Sequence, residues 1–393
     1  MQSITKSLCE NLEGFIPTEM RPMGLHEPCF SGNEWNYVKT CIDTGWVSST
    51  GSFVDRFEND IAKFCNVPYV IVTTNGTSAL HVSLLLAGIE PGDEVLVPAL
   101  TFVASANAIH YCGATAHFID SSSQDLGINV EKLSQYMADH FEMKNNVCIN
   151  KHTKSPVKAI MAVHVFGHIG DIEGLQKLAQ AYNLHVIEDA SEALGSWQND
   201  HHAGSTSFLG VLSFNGNKIM TTGGGGAILA TNEALAKKAK HLTTTAKQGH
   251  AWAYYHDEVG YNYRLPNINA ALGCAQLEQI PNFLDIKRDL AKAYQSIFDK
   301  YDEIRFITEP HNCRSNYWLN ALLLPSSDVQ KEMLAATHEM KIFTRPVWEL
   351  MSNLPMYKNC PSMDLSEAQN LSQRLLNLPS GVALGKVYSD LSR

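Results

Sequence analysis

Four short stretches of this chain carry residue types that could do chemistry. The sharpest is Ser213-Phe-Asn-Gly-Asn-Lys218, followed by Thr-Thr-Gly-Gly-Gly-Gly226. A lysine stands in a turn rich in Asn and Gly, just after an apolar run. In a dry, crowded cleft a lysine has a lowered pKa and can form a Schiff base with an aldehyde. A lone lysine on such a loop is, by itself, an ordinary surface group. The glycines allow close backbone approach to a ligand. They do not form a G-x-x-x-x-G-K-[ST] phosphate loop, because Lys218 precedes them. The second stretch is Val72-Thr-Thr-Asn-Gly-Thr-Ser-Ala79. A strand-like run enters Asn75-Gly76, and Thr77 and Ser78 open a helical pattern. Free N–H groups at a helix start, beside hydroxyls, seat a phosphate; simple N-capping is the alternative. The third is Leu184-His-Val-Ile-Glu-Asp-Ala190, where Asp189 follows an apolar run. A buried carboxylate needs a cation or hydrogen-bond donors, and a protonated pyridine nitrogen is such a partner. The fourth is Pro98-Ala-Leu-Thr-Phe-Val-Ala-Ser105, where Phe102 could stack on a flat heteroaromatic ring or simply fill the core.

The elements that must position these groups are legible as alternating apolar runs and helical patterns between about residues 67 and 230. Strands are predicted at 69–73, 94–98, 116–119, 159–165, 184–187, 211–214 and 227–230. Helices are predicted at 77–87, 102–111 and 172–182. Apolar strands joined by helices imply a largely parallel sheet covered on both faces. Ligands then sit at the carboxyl ends of the strands. All four stretches fall at such ends. Phosphate anchorage, ring packing, an acid for a ring nitrogen and a lysine are together what pyridoxal phosphate (PLP) requires. With the ring nitrogen protonated, the ring withdraws electrons from the Cα carbanion, and the Lys218 amine can shuttle the proton. The expected outcome is transamination.

After Gly260 the pattern changes. Helices are predicted at 267–280 and 282–301 with Pro281 between them, then a strand at 318–324 and helices at 328–340 and 366–376. The fold class expected is α/β, with a mixed, mostly parallel sheet flanked by helices and a smaller C-terminal α+β domain. We assign 1–50 to an N-terminal segment near the small domain and active site, 51–265 to the large PLP-binding domain and 266–393 to the small domain.

The 393 residues are 45% hydrophobic and 18% charged, a globular composition. Thirty basic against 40 acidic residues give a net charge of −10, the wrong sign for a nucleic-acid coat or an anionic-membrane binder. Nine scattered cysteines without a C-x-x-C pair argue against a zinc ribbon, an iron–sulfur cluster or a disulfide framework. MQSITKSLCENLEGF has no apolar signal core, and no apolar stretch approaches about 20 residues, so a cytoplasmic location is expected. His164 and His168 are four apart, but Gly167 intervenes and no metal site is expected. His201-His202 reads as a solvated loop, Lys287-Arg288 as an exposed helix face, and Tyr261-Asn-Tyr-Arg264 as packing at a subunit contact.

With these residues assembled, the chain resembles the DegT-like nucleotide-sugar aminotransferases of fold type I. The blocks SGNEWNYV, NGTSALH, GDEVLVPALTFVASANAI, VHVFGH, VIEDASEALGS, SFNGNKIMTTGGGG and GYNYRLPNINAALG carry the resemblance, from about Ser31 to Leu378. SFNGNKIMTTGGGG, YYHDEVGYNYRLPN and TRPVW look most like the branch serving legionaminic-acid-type sugars. The resemblance implies that Lys218 holds PLP and that Asp189 pairs with the pyridine nitrogen. It gives Thr77, Ser78 and Ser213 the phosphate and Phe102 the ring. Asn262 would reach the phosphate in the neighbouring subunit, which implies a homodimer with composite sites. Trp46, Ser48 and Arg345 would face the sugar nucleotide, with His164 near the cofactor. Glu192 stands where many members carry glutamine or histidine near the cofactor's 3′ oxygen; a carboxylate there repels a phenolate unless protonated or turned aside. The implied reaction moves an amino group from L-glutamate to C4 of a nucleotide-linked 4-keto-6-deoxy hexose, an N-acetylated hexosamine derivative linked to UDP or GDP. The product is a 4-amino sugar for surface polysaccharide or a nonulosonic acid. The alternatives are a PLP-dependent 3-dehydratase of the same family and a catalytically silent PLP-fold partner. Lys218 and the absence of clustered cysteines oppose the first, and the presence of all the cofactor groups opposes the second.

Overall fold

The computed structural model describes residues 2–391. Its centre is a nine-stranded sheet. Along the main path the strands are Tyr69–Thr73, Gly226–Ala230, Leu209–Ser213, His185–Asp189, Pro156–Val163, Glu94–Pro98 and Thr115–Ile119. Four of the pairings on this path are parallel, those linking 209–213, 185–189, 156–163, 94–98 and 115–119. Gly226–Ala230 runs antiparallel to both its neighbours, so Tyr69–Thr73 points the same way as Leu209–Ser213. Every residue of 94–98 and 226–230 is buried. That is the continuous apolar signature of strands covered on both faces. Six carboxyl ends therefore share one edge, and Thr73, Pro98, Asp189 and Ser213 all finish there.

Downstream, a second sheet is antiparallel and ordered Arg305–Phe306, Asn320–Leu323, Leu375–Leu378, Arg345–Pro346. Residues predicted as the end of a helix, 375–376, are instead the start of a strand, because helix Ser366–Arg374 stops where Leu375–Leu378 joins this sheet. Helix Gln2–Phe15 buries Leu8, Leu12 and Phe15 in the core of this side, against Leu290, Tyr294 and Phe298.

The predicted break at Pro281 does not occur. A single helix spans Asn267–Phe298 with Pro281 inside it. The ring forfeits one bond to the preceding turn and costs roughly 3 kcal/mol in a helix interior. The buried stripe Leu277, Ile280, Phe283, Ile286, Leu290 and Tyr294 continues on both sides of it, and burial at about 1.5–3 kcal/mol per large apolar side chain outweighs that cost. The same stripe corrects the reading of Lys287 as exposed. Position 287 lies one turn from Phe283 and beside Leu290, and the lysine is fully buried. Its Nζ donates to the carbonyls of Trp318 (3.2 Å) and Ser380 (2.5 Å). Arg288 is turned toward Glu309, in a two-pronged contact at 2.6 and 2.8 Å. His202 is buried as well, with Nε2 accepting from the Gly195 amide at 2.8 Å; only His201 of that pair faces solvent.

Candidate active site

At the shared strand edge a cavity of about 290 Å³ brings together Thr77, Phe102, Asp189, Glu192, Ser213 and Lys218. Each arrives by a local device. Strand Tyr69–Thr73 passes into helix Gly76–Leu86, whose N-cap is Asn75: its Oδ1 accepts from the Ser78 amide at 2.8 Å. That bond satisfies one amide of the first turn and leaves those of Gly76 and Thr77 outside the intrahelical ladder, free for an anion. Gly76 is a glycine for want of space. A Cβ there would meet Ser213 Cβ at 3.0 Å and Ser191 Oγ at 3.2 Å. From the other side, a Cβ on Gly226 would stand 2.5 Å from the Asn75 carbonyl carbon, so the glycine run lets its loop lie against the helix start.

Asp189 is the last residue of its strand and is almost buried. Ser105, in the first turn of helix Val103–Tyr111, donates to Asp189 Oδ2 at 2.7 Å. The Ser191 amide donates to Oδ1 at 3.2 Å. Both oxygens are thus oriented by short contacts, and the carboxylate keeps a face on the cavity. Phe102 is half exposed there and has its ring edge-on to Trp348 at 6.2 Å. An aromatic residue left half bare beside a cleft has a free face for a flat ligand.

Lys218 follows strand Leu209–Ser213 in a turn closed by its own amide on the Asn215 carbonyl (3.0 Å). Its Nζ lies 3.1 Å from Glu192 Oε1 and 4.0 Å from the centre of the Trp318 ring. Glu192 is buried, and its Oε2 accepts from the Phe166 amide at 2.9 Å. Burial pushes the Glu192 carboxyl upward and Asp189 adds to that, while Lys218 and the Phe166 amide pull the other way. The carboxylate is therefore turned aside toward the lysine and a backbone donor.

Other expected site residues lie elsewhere. Ser78 stands behind the wall, its Oγ accepting from Thr74 Oγ1 at 3.3 Å. His164 does not reach the cavity: its ring is buried with Nε2 at 2.9 Å from Glu188 Oε2. His168 turns to Ser315 at 3.0 Å, so the two histidines share no ligand position. Trp46 and Ser48 are exposed, and their carbonyls receive Asn267 Nδ2 (2.7 Å) and the Asn267 amide (2.6 Å). Asn262 is exposed on the segment that bridges to Thr244, away from the cavity wall of its own chain. Arg345 lines a second cavity, of about 490 Å³, which shares Asn217, Trp318 and Trp348 with the first. Sequence reading missed Ser105, Ser191, Asn217 and Trp318. Ser105 had a signal, since it lies three residues after Phe102 in a helix's first turn. The tryptophan comes from the bend just before strand Asn320–Leu323, far along the chain, and nothing in its neighbours announces it.

Comparison with known proteins agrees with this geometry. Residues 28–388 match the DegT/DnrJ/EryC1/StrS aminotransferase family, and the chain belongs to it. It is 36% identical over 361 residues to a GDP-perosamine synthase of Escherichia coli O157:H7, covering 92% of this chain and 94% of that one. It is 31% identical to a UDP-4-amino-4,6-dideoxy-N-acetyl-beta-L-altrosamine transaminase of Campylobacter jejuni, covering 84% and 85%. The aminotransferase TlmJ of Streptoalloteichus hindustanus shares the fold, with a TM-score of 0.83 at 23% identity over 94% of this chain and 99% of that one. The protein is thus a PLP-dependent sugar aminotransferase of fold type I. The residues present fit the cofactor: an anion seat at Gly76–Thr77 beside Ser213, an oriented carboxylate, an aromatic face and an amine converge on one cavity. When bound, PLP supplies an electron-withdrawing ring that acidifies the α-proton of an amino acid. The chain's part would be to seat the phosphate at Gly76–Thr77 beside Ser213, to set Asp189 against a ring nitrogen and to hold a proton-carrying amine at Lys218 Nζ.

Proposed function

We propose that this enzyme moves the amino group of L-glutamate to C4 of a nucleotide-linked 4-keto-6-deoxy hexose. The observation that carries the proposal is the adjacency of two cavities, which share Asn217, Trp318 and Trp348 as lining residues. The first holds Lys218 and Asp189; the second, across Trp318 and Trp348, opens toward Arg345. The Arg345 side chain is exposed and makes no ion pair among the described residues, and a guanidinium is suited to two-pronged pyrophosphate recognition. The names of the relatives support a nucleoside diphosphate carrying a 4-amino sugar as product. Within the family we place the chain nearest the legionaminic-acid-type branch on SFNGNKIMTTGGGG, YYHDEVGYNYRLPN and TRPVW. We further propose a cytoplasmic enzyme built from a cofactor-binding unit at 51–265 and a smaller unit at 266–393, acting as a homodimer in which Asn262 completes the partner's phosphate site. Support for the dimer comes from Trp252, Tyr254, Tyr255 and Val259, all strongly exposed just before that asparagine. Among the described residues no helix is long and apolar enough to cross a membrane.

The test is a panel of purified UDP-, GDP- and dTDP-linked 4-keto-6-deoxy hexoses with isotope-labelled glutamate. Label appearing at C4 of one of them supports the proposal. Glutamate changing the cofactor's visible spectrum while no sugar acquires label refutes the sugar assignment.

A further inference from the structure

Trp318 stands in the wall shared by the two cavities and is 4% exposed. The Lys218 amine lies over its ring, with Nζ 4.0 Å from the ring centre, while Glu192 Oε1 meets the same Nζ at 3.1 Å. The amine therefore has a carboxylate as one contact and an aromatic face as another. Only 12% of the lysine side chain is exposed. A cation–π contact is worth most where water is excluded, and tryptophan is the ring that gives most. Asp189, the other carboxylate of this cavity, is turned to Ser105 and the Ser191 amide.

Each polar atom of this tryptophan is engaged. Its Nε1 donates at 2.7 Å to the carbonyl of Asn217, the residue next to Lys218 in the chain. Its amide donates to Asn316 Oδ1 at 2.8 Å, and its carbonyl accepts from the buried Lys287 at 3.2 Å. Asn316 also donates through Nδ2 to the carbonyls of Glu192 (2.8 Å) and Leu194 (2.9 Å). One buried asparagine thus fixes, relative to each other, both groups that contact the lysine nitrogen. The fit is tight, since a Cβ on Gly167 would fall 1.8 Å from Asn316 Oδ1. Tyr317, between Asn316 and Trp318, takes a φ of 47°, in the left-handed region. A bulky side chain keeps that conformation only where its surroundings impose it. A ring that merely walled off a cavity would need none of this.

Proton transfer gives the arrangement a use. The amine takes a proton from the α-carbon of the amino donor. The C–H bond breaks, its electron pair stays on the carbon side, and the proton forms a new N–H bond at Lys218 Nζ. The amine becomes an ammonium ion in a nearly closed cleft, where an unmet charge is costly. We propose that Trp318 is a positioning residue for this step: its ring face, together with Glu192, holds the Lys218 ammonium until the proton is passed on. Trp318 acts through the lysine, and its role is independent of which keto sugar accepts the amine.

The test compares wild type, Trp318→Leu and Trp318→Phe, because leucine fills similar space without a π face and phenylalanine keeps one. In the unloaded proteins, acetylation by trace acetic anhydride is mapped at Lys218, with the exposed Lys63 as internal reference. We expect Trp318→Leu to label Lys218 about tenfold faster than wild type, since the ammonium form has lost a partner, and Trp318→Phe no more than about threefold faster. In the loaded proteins, the single-turnover spectral change is followed with glutamate and with α-deuterated glutamate. Trp318→Leu should slow it about tenfold, with a deuterium isotope effect at least as large as that of wild type and little change in the half-saturating glutamate concentration. Trp318→Phe should recover most of the rate. Unchanged labelling or an unchanged rate in Trp318→Leu overturns the proposal. So does a slowing that is equal in both variants or lacks an isotope effect, since Trp318 would then be only a wall. Should Trp318→Leu not take up the cofactor, the labelling of the unloaded proteins decides alone.

Discussion

Replacing Lys287 by methionine should change how stability depends on pH in a way that can be worked out in advance. The amine is fully buried between two carbonyls, and burial brings its pKa from 10.5 down to about 7. Above the unfolded value both states are neutral, and the group contributes nothing to the balance. As pH falls below 10.5 the unfolded chain takes up a proton that the native chain refuses, so native stability declines. The decline ends near pH 7, where the native amine also protonates. At about 1.36 kcal/mol per unit, the full span amounts to roughly 5 kcal/mol against the folded state at and below neutrality. Methionine removes that titration. It also strips the Trp318 and Ser380 carbonyls of their donor, a loss of about 1–3 kcal/mol that is independent of pH. The stability difference between variant and wild type should therefore shift by about 2 kcal/mol in favour of the variant between about pH 9 and 7.5. Urea unfolding followed by circular dichroism at several pH values measures it. A difference that stays flat across this range would show that the amine reaches water or keeps its proton, and the account of a neutral lysine behind Trp318 would be wrong.

The remaining predictions concern the site. Asp189→Asn should lower kcat by at least about 100-fold, because an amide cannot hold a ring nitrogen protonated; a near-wild-type rate refutes the role. Ser105→Ala removes the hydroxyl 2.7 Å from Asp189 Oδ2 and should cost about tenfold in kcat/KM, the worth of one good hydrogen bond to a charged group. If Asn262 completes the partner's site, mixing inactive Lys218→Ala and Asn262→Ala proteins under conditions of subunit exchange should restore about a quarter of wild-type activity, since half the dimers then carry one intact site of two. No recovery, with exchange verified, argues against the composite site.

Much of this arrangement is legible in the linear sequence because the central strands are uniformly apolar. The runs at 69–73 and 94–98 sit in the structure where the pattern puts them, and the groups following them inherit the sheet's ligand edge. Lys218, Asp189 and Phe102 were readable for that reason: Asp189 ends its strand, and the other two follow shortly after strand ends. Lys287 was not, because charge argues for the surface while helical phase, set by Phe283 and Leu290, puts it inside. Pro281 misled similarly, since its local cost is overridden by a buried stripe that only the tertiary structure reveals. Trp318 reaches the site through a long-range contact, from the bend before strand Asn320–Leu323, and no local spacing encodes it.

The central claim is that the amine at Lys218 Nζ is the group that holds the cofactor. Borohydride reduction of the PLP-loaded enzyme, followed by peptide mapping, tests it directly. The account predicts a single cofactor adduct, on the peptide carrying Lys218, absent from Lys218→Ala. An adduct on any other lysine of the native enzyme would contradict it.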